Sequence, residues 1–367
     1  MKVLYVITKS SEIGGAQVHV RDLSLSLKKL GHEVIVVSGE QEGLLDILKS
    51  EGVVTFVVPC LDRNINLYRD FMSIISLIKI IRTHNPDLVG LHSSKAGILG
   101  RVAAKFCRKP VVFTAHGWAF ADGISERKKQ IYIFLERYFS RFANKIITVS
   151  EQDKLLAKSY RVSCDNKQVV IHNGVSDYAD CKPVDTLPRN TINLIMVARL
   201  SDQKDHKILI NAISNISHLN WHLTLVGNGP NLQVLSDLVN HLGLNGRVSF
   251  LGARSDVGRL LKSSDIFILT SKWEGFPMSI LEAKSCGLPI IASNVGGVQE
   301  SITHNTHGFL IERDDITQLT LCLEKLISSK ELRTRFGIEN RRDYESKYSV
   351  DKMFSKTFSL YEQVVND

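Results

Sequence analysis

The sequence predicts two α/β domains in series, each a parallel β-sheet wrapped by helices, with a cleft between the C-terminal ends of the two sets of strands. Three observations carry this. The 367 residues, 44% of them hydrophobic, are enough to fill two cores. Short β-branched runs alternate with longer stretches at helical period along the whole chain. Several runs, Val111-Val112-Phe113 among them, are apolar without alternation, as strands covered on both faces should be.

In the first half, strands are expected near Lys2–Ile7, Glu33–Val37, Val53–Val58, Leu88–Leu91, Val111–Thr114, Lys145–Val149 and Val169–Ile171. Helical patterns lie between them. Gln17–Leu30 closes on Gly31, and Tyr68–Thr83 gathers Phe71, Ile74, Ile75, Ile78 and Ile81 on one expected apolar face. A polar, irregular stretch from Asp177 to Asn190 holds Pro183 and Pro188 and separates the halves. The second half repeats the alternation. Its strands are Ile192–Ala198, Leu223–Val226, Val248–Leu251, Ile266–Thr270 and Ile290–Ala292, and its helices are Lys207–Ile216, Leu232–Leu242, Asp256–Lys262, Met278–Ser285 and Ile316–Ser328. The expected division is residues 1–173, a linker at 174–190, a second domain at 191–349 and a terminal segment at 350–367.

Composition narrows the function. Six cysteines lie far apart, without zinc-ligand spacing, so neither a disulfide framework nor a zinc site is expected. The apolar run Val3 to Ile7 is too short for a signal-peptide core, and a cytoplasmic chain is expected. The formal charge of +8 is lopsided: residues 1–173 hold 25 Lys+Arg against 16 Asp+Glu, which leaves 21 against 22 of the total 46 and 38 for the remainder. A basic first half points to a polyanion, either nucleic acid or an anionic membrane surface. No nucleic-acid-binding signature accompanies the charge, so the membrane is the expected partner.

Glycines mark two strand-to-helix turns. Ile13-Gly14-Gly15-Ala16-Gln17 follows the first strand and opens the first helix, where backbone N–H groups can approach an anion. Gly227-Asn228-Gly229 has Leu232 where a dinucleotide fingerprint wants a third glycine, so NAD is not expected. No G-x-x-x-x-G-K-[ST] loop and no Asp-x-Asp metal chelate is present, so no cofactor or metal is expected. Arg199 and Lys204 end a strand and precede a helix, where two cations could neutralise a diphosphate. In Trp273-Glu274-Gly275-Phe276-Pro277-Met278-Ser279-Ile280-Leu281-Glu282, two carboxylates straddle a helix start whose free N–H groups can hold phosphate. Such a pair can grip hydroxyls on either side of a diphosphate.

The ordered set Gly14-Gly15, His116, Asn173-Gly174-Val175, Arg199 with Lys204, Glu274 with Glu282, and Gly296-Gly297 resembles the family 4 glycosyltransferases, retaining enzymes with the two-domain GT-B fold. The resemblance runs from Met1 to the last helix. His92–Gly97 and Thr114–Phe120 are similar to bacterial members that assemble capsule, exopolysaccharide or O-antigen repeats. It implies that the helix at 350–367 crosses back to the first domain. It also implies a donor site in which Gly15 meets the distal phosphate, Arg199 and Lys204 balance the diphosphate, Glu282 binds the ribose, Glu274 the transferred sugar, and His116 stands beside the anomeric carbon. Gly14, Asn173, Gly227, Phe276, Pro277, Met278, Ser279 and Ile280 join that donor-binding set.

The reaction so implied moves a hexosyl or N-acetylhexosaminyl group from a nucleotide diphosphate sugar, UDP-linked by expectation, to a polyprenyl-diphosphate-linked saccharide. In the family's usual proposal the departing diphosphate accepts the acceptor's proton, so leaving-group stabilisation is the main catalytic task. The alternatives are a GT-B sugar-nucleotide epimerase, which needs first-domain carboxylates, and a non-catalytic sugar-nucleotide-binding protein. The stretch Ser125–Ala143 carries Arg127, Lys128, Lys129, Arg137 and Arg141 among Tyr132, Phe134, Tyr138, Phe139 and Phe142. As a helix it could lie on anionic lipid at the inner face of the cytoplasmic membrane, or pack its aromatics on the sheet and leave the cations solvated.

Overall fold

The computed structural model describes residues 1–11, 13–121, 123–184 and 190–367; Pro188 and the linker positions 185–189 lie outside the described residues. The chain divides into two compact units, Met1–Asn173 with Val350–Asp367, and Gly174–Ser349.

Unit 1 alternates strictly: β1 (Lys2–Ile7), α1 (Gly15–Lys29), β2 (Glu33–Ser38), α2 (Leu44–Ser50), β3 (Val54–Val57), α3 (Leu67–His84), β4 (Leu88–His92), α4 (Ser94–Phe106), β5 (Val111–Ala115), α5 (Glu126–Phe139), β6 (Lys145–Thr148), α6 (Glu151–Ser159) and β7 (Gln168–Val170). The seven strands pair in parallel in the order β3-β2-β1-β4-β5-β6-β7. Both sheet faces are covered. Val3, Tyr5 and Ile7 of β1 pack beneath α1 and α2, while Leu4 and Val6 join the cluster beneath α3 to α6. This is why the strands read as unbroken apolar runs. Helix α4 lies especially close: a Cβ on Gly97 or Gly100 would come within 2.6 Å of Phe113 or 2.3 Å of Leu91.

Unit 2 contains β8 (Ile192–Val197), α7 (His206–Ser214), β9 (Trp221–Val226), α8 (Leu232–His241), β10 (Val248–Phe250), α9 (Val257–Lys262), β11 (Ile266–Leu269), α10 (Met278–Ser285), β12 (Ile290–Ser293), α11 (Val298–Ser301), β13 (Gly308–Ile311), α12 (Ile316–Ser328) and α13 (Lys330–Asp343). Its six strands are parallel in the order β10-β9-β8-β11-β12-β13. The last helix, α14 (Val350–Asn366), returns to unit 1, where Met353, Leu360, Tyr361 and Val364 join the cluster beneath α1. The two-sheet α/β architecture is the GT-B fold.

Three differences from the sequence expectation have physical causes. Strand β13 is four residues long and begins on Gly308, where a Cβ would sit 1.8 Å from the Ile290 carbonyl oxygen; so short a run behind a glycine carries little period. The buried line of α3 is Ser73, Leu77 and Ile81, whereas Phe71 and Ile75 are exposed, because a helix apolar on more than one side does not declare which side packs. The aromatics of α5 divide: Tyr132 packs on the core beside the buried Ile133, and Phe134 and Tyr138 are exposed. Among the described residues no helix is long and apolar enough to cross a membrane.

Candidate functional site

In parallel sheets the loops after the strands hold the chemistry. In unit 1 those loops bring three histidines together. His92 ends β4, His116 follows β5, and His19 stands about one turn inside α1. His92 Nδ1 lies 3.0 Å from His116 Nε2, and the His19 ring meets the His116 ring edge-on at 4.8 Å between centroids. Burial holds all three below the usual imidazole range, His19 at about 4; for His92 the neighbouring His116 and His19 add to it, and for His116 the neighbouring His19 does. The trio is therefore neutral at pH 7.

Neutrality leaves one proton for each ring to place. His92 Nε2 is buried without an acceptor, and a buried N–H left unpaired is costly. We assign the His92 proton to Nδ1, where it donates to His116 Nε2. His116 then keeps its own proton on Nδ1, the ring nitrogen that is neither bonded to His92 nor sealed in. Asn173, 4% exposed, sets its side chain against His19 and opposes the effect of burial there.

These three imidazoles are the one group among the described residues where ligating nitrogens converge, all within 4.8 Å. A zinc-like ion would need nitrogens at about 2.0–2.1 Å from it and so would break the His92–His116 bond. A hard Mg²⁺ or Mn²⁺ would find no oxygen donor among them.

Gly15 opens α1, preceded by Gly14. The Gly14 N–H donates to Gln17 Oε1 at 3.2 Å, and no side chain caps the first turn. A Cβ on Gly14 would meet nothing nearer than 3.5 Å, so the fold itself does not demand glycine there.

In unit 2 two loops are stitched side by side. Lys272 N–H donates to the Gln203 carbonyl at 2.7 Å, and the Gln203 amide donates to the Trp273 carbonyl at 2.9 Å. Thr270 Oγ1 donates to the Lys204 and Asp205 carbonyls. This stitching holds Lys204 in an ion pair with Glu274, to which Ser271 Oγ also donates. Lys204 is therefore shared with a carboxylate, whereas the sequence suggested that its charge would be offered to a diphosphate undivided; Arg199 is exposed just after β8.

Helix α10 begins at Met278 behind Pro277, with no side-chain cap and no acid in its first turn. Its N-terminal amides are thus open to an anion. Within the expected donor-binding set the side chains of Phe276, Met278 and Ile280 are 4%, 8% and 0% exposed, and Pro277 has no N–H. Among them a ligand can use the backbone N–H groups of Met278 and Ile280, as it can that of Ser279. Glu282 is half-buried one turn on, 3.4 Å from the Tyr178 hydroxyl. Gly227 and Gly296 have structural work of their own, since a Cβ would meet the Ala198 carbonyl at 2.2 Å and the Glu274 carbonyl at 1.9 Å. His19, Gln203 and Ser271 escaped the sequence reading, and His92 entered it only as the start of a segment similar to family members, with no role at the site.

Comparison with known proteins gives a consistent result. The family model for group 1 glycosyl transferases matches residues 181–343, and that for glycosyltransferase family 4 matches residues 13–177. The chain is 34% identical to the UDP-Gal:alpha-D-GlcNAc-diphosphoundecaprenol alpha-1,3-galactosyltransferase of Escherichia coli, covering 91% of this chain and 90% of that protein. It is 30% identical to an Escherichia coli O-antigen biosynthesis glycosyltransferase, covering 85% and 87%. A solved Anabaena structure in complex with UDP and glucose superposes with a TM-score of 0.85 at 21% identity, covering 99% and 100% of the two chains.

Proposed function

Because this chain belongs to the family 4 glycosyltransferases, we propose that it transfers a sugar, with retention, from a UDP-sugar to a polyprenyl-diphosphate-linked saccharide during assembly of a bacterial surface polysaccharide. The observation that carries the proposal is in unit 2. Lys204 paired with Glu274, the uncapped start of α10 and Glu282 one turn on gather a cation, open amides and two carboxylates, which is what a sugar diphosphate requires. The 34% identity to an enzyme named for UDP-Gal and a diphosphoundecaprenol acceptor supports the choice of donor and acceptor class.

In this reading Arg199, Lys204, the α10 amides and the Gly15 amide stabilise the departing diphosphate, whose oxygen takes the acceptor's proton. Glu274 holds hydroxyls of the sugar and Glu282 those of the ribose. His116, neutral and fixed by His92, is a hydrogen-bond donor to the sugar through Nδ1, not an acid. An epimerase would need carboxylates around His116; among the described residues its ring partners in unit 1 are two neutral imidazoles. We further propose that the enzyme needs no metal and works as a peripheral protein on the inner face of the cytoplasmic membrane.

Incubation with UDP-, GDP-, ADP- and dTDP-sugars, with and without a polyprenyl-diphosphate saccharide, tests the whole reading. Transfer from a UDP-sugar, undiminished in EDTA, is the expected result. Product from a sugar nucleotide without acceptor would favour epimerisation, and activity restored only by Mg²⁺ or Mn²⁺ would overturn metal independence.

A further inference from the structure

The opposite edge of unit 1, where β6 and β7 begin, carries an open pocket of about 400 Å³. Four cations line it: Arg137 and Arg141 from the end of α5 and the turn after it, and Arg161 and Lys167 from the connection between α6 and β7. Backbone carbonyls hold two of them in place. Arg137 Nε donates to the Tyr160 carbonyl, and Lys167 Nζ donates to the Ala143 carbonyl at 2.9 Å and the Arg141 carbonyl at 3.3 Å. Among the described residues none of the four is ion-paired; the nearby Asp165 is taken by Lys158 at 2.7 Å. Four like charges around one hollow repel each other, and an anion with several oxygens relieves that repulsion.

The surroundings say which anion. Ile131, Phe134 and Tyr138, at i, i+3 and i+7 on α5, are 54%, 67% and 45% exposed. They form an apolar line that runs down to the pocket, where the Arg141 guanidinium lies 4.7 Å from the centre of the Tyr138 ring. Aromatic side chains beside cations suit the boundary between acyl chains and headgroups, and a phosphate dissolved in water has no use for the apolar line. We propose that this pocket receives the phosphate of an anionic phospholipid headgroup, so that α5 lies along the lipid surface. The proposal rests on the peripheral-membrane reading above and moves the principal contact from Arg127, Lys128 and Lys129, at the start of α5, to the cations around its end.

Co-sedimentation with vesicles of phosphatidylcholine, alone or mixed with phosphatidylglycerol, tests it. The native protein should pellet with the mixed vesicles only, and free glycerol phosphate should compete. Replacing Arg161 and Lys167 together by Glu should weaken partitioning by about 30-fold or more, since each cation near such a surface is worth about 1 kcal/mol. Transfer to a short-chain acceptor analogue should not change. Circular dichroism checks folding, and the Arg161→Gln/Lys167→Gln variant replaces the Glu variant if that one misfolds. Full partitioning by the double variant overturns the proposal. If only a variant with Arg127, Lys128 and Lys129 replaced by Glu is released, the membrane reading stands and the pocket falls. If the native protein ignores both vesicles, both fall. Tight binding of inorganic phosphate without vesicle binding would make the pocket a free-phosphate site and overturn the lipid assignment.

Discussion

Lys204 and Glu274 neutralise each other where a sugar diphosphate is proposed to sit, so the donor has to share or displace that pair. Removing either partner alters the charge presented to the diphosphate. Lys204→Ala and Glu274→Gln should each lower kcat/KM by about 10²-fold, the scale of one lost transition-state contact. Thermal melts should stay near the native midpoint, because both side chains lie in loops that are held mainly by backbone bonds. Activity within about threefold of the native enzyme in both variants would remove the pair from the mechanism.

At the scale of elements, α4 and α5 are locked by a buried charge pair. Arg101 and Glu136 are 0% and 2% exposed and 2.7 Å apart; Arg101 also donates to the Gly97 carbonyl at 2.8 Å and lies over the Phe113 ring. Such a pair is costly to break because one charge stays buried and uncompensated. Arg101→Ala should lower unfolding stability by about 3 kcal/mol or more, and Arg101→Met combined with Glu136→Leu should recover most of that loss. Urea titrations of the two variants check this; equal destabilisation would mean that the cost lies in lost packing, not in the stranded charge. The same lock fixes the face that α5 turns outward, and hence the direction of its exposed aromatics.

Across the whole molecule, buried histidines make stability depend on pH. His19, His206 and His307 are held at about 4 chiefly by burial, and His92 and His116 also lie below the usual range. The unfolded chain takes up these protons near the ordinary value of about 6.5, the folded one only at lower pH. Stability is therefore complete above about pH 6.5 and falls as pH drops toward 4. Urea midpoints measured between pH 7.5 and 4 should decline over this window, and His19→Gln combined with His206→Gln should flatten the decline. A pH-independent midpoint in the native protein would contradict the folded-state values.

The local pattern in the chain was enough to determine the alternation of strands and helices, the two sheets, the helix start at Met278 between two carboxylates and the basic bias of the first half. Each depends on residues within one or two turns, or on simple counting. Tertiary structure alone decided the rest. His19, His92 and His116 meet because β1 pairs with β4 and β4 with β5, an order that no period in the sequence encodes. Lys204 reaches Glu274 because β8 and β11 are neighbours. The four-cation pocket exists because the end of α5 and the segment before β7 meet at one sheet edge. Strand order follows from how all the helices share two sheet faces, a property of the packed whole to which each segment contributes only its apolar side.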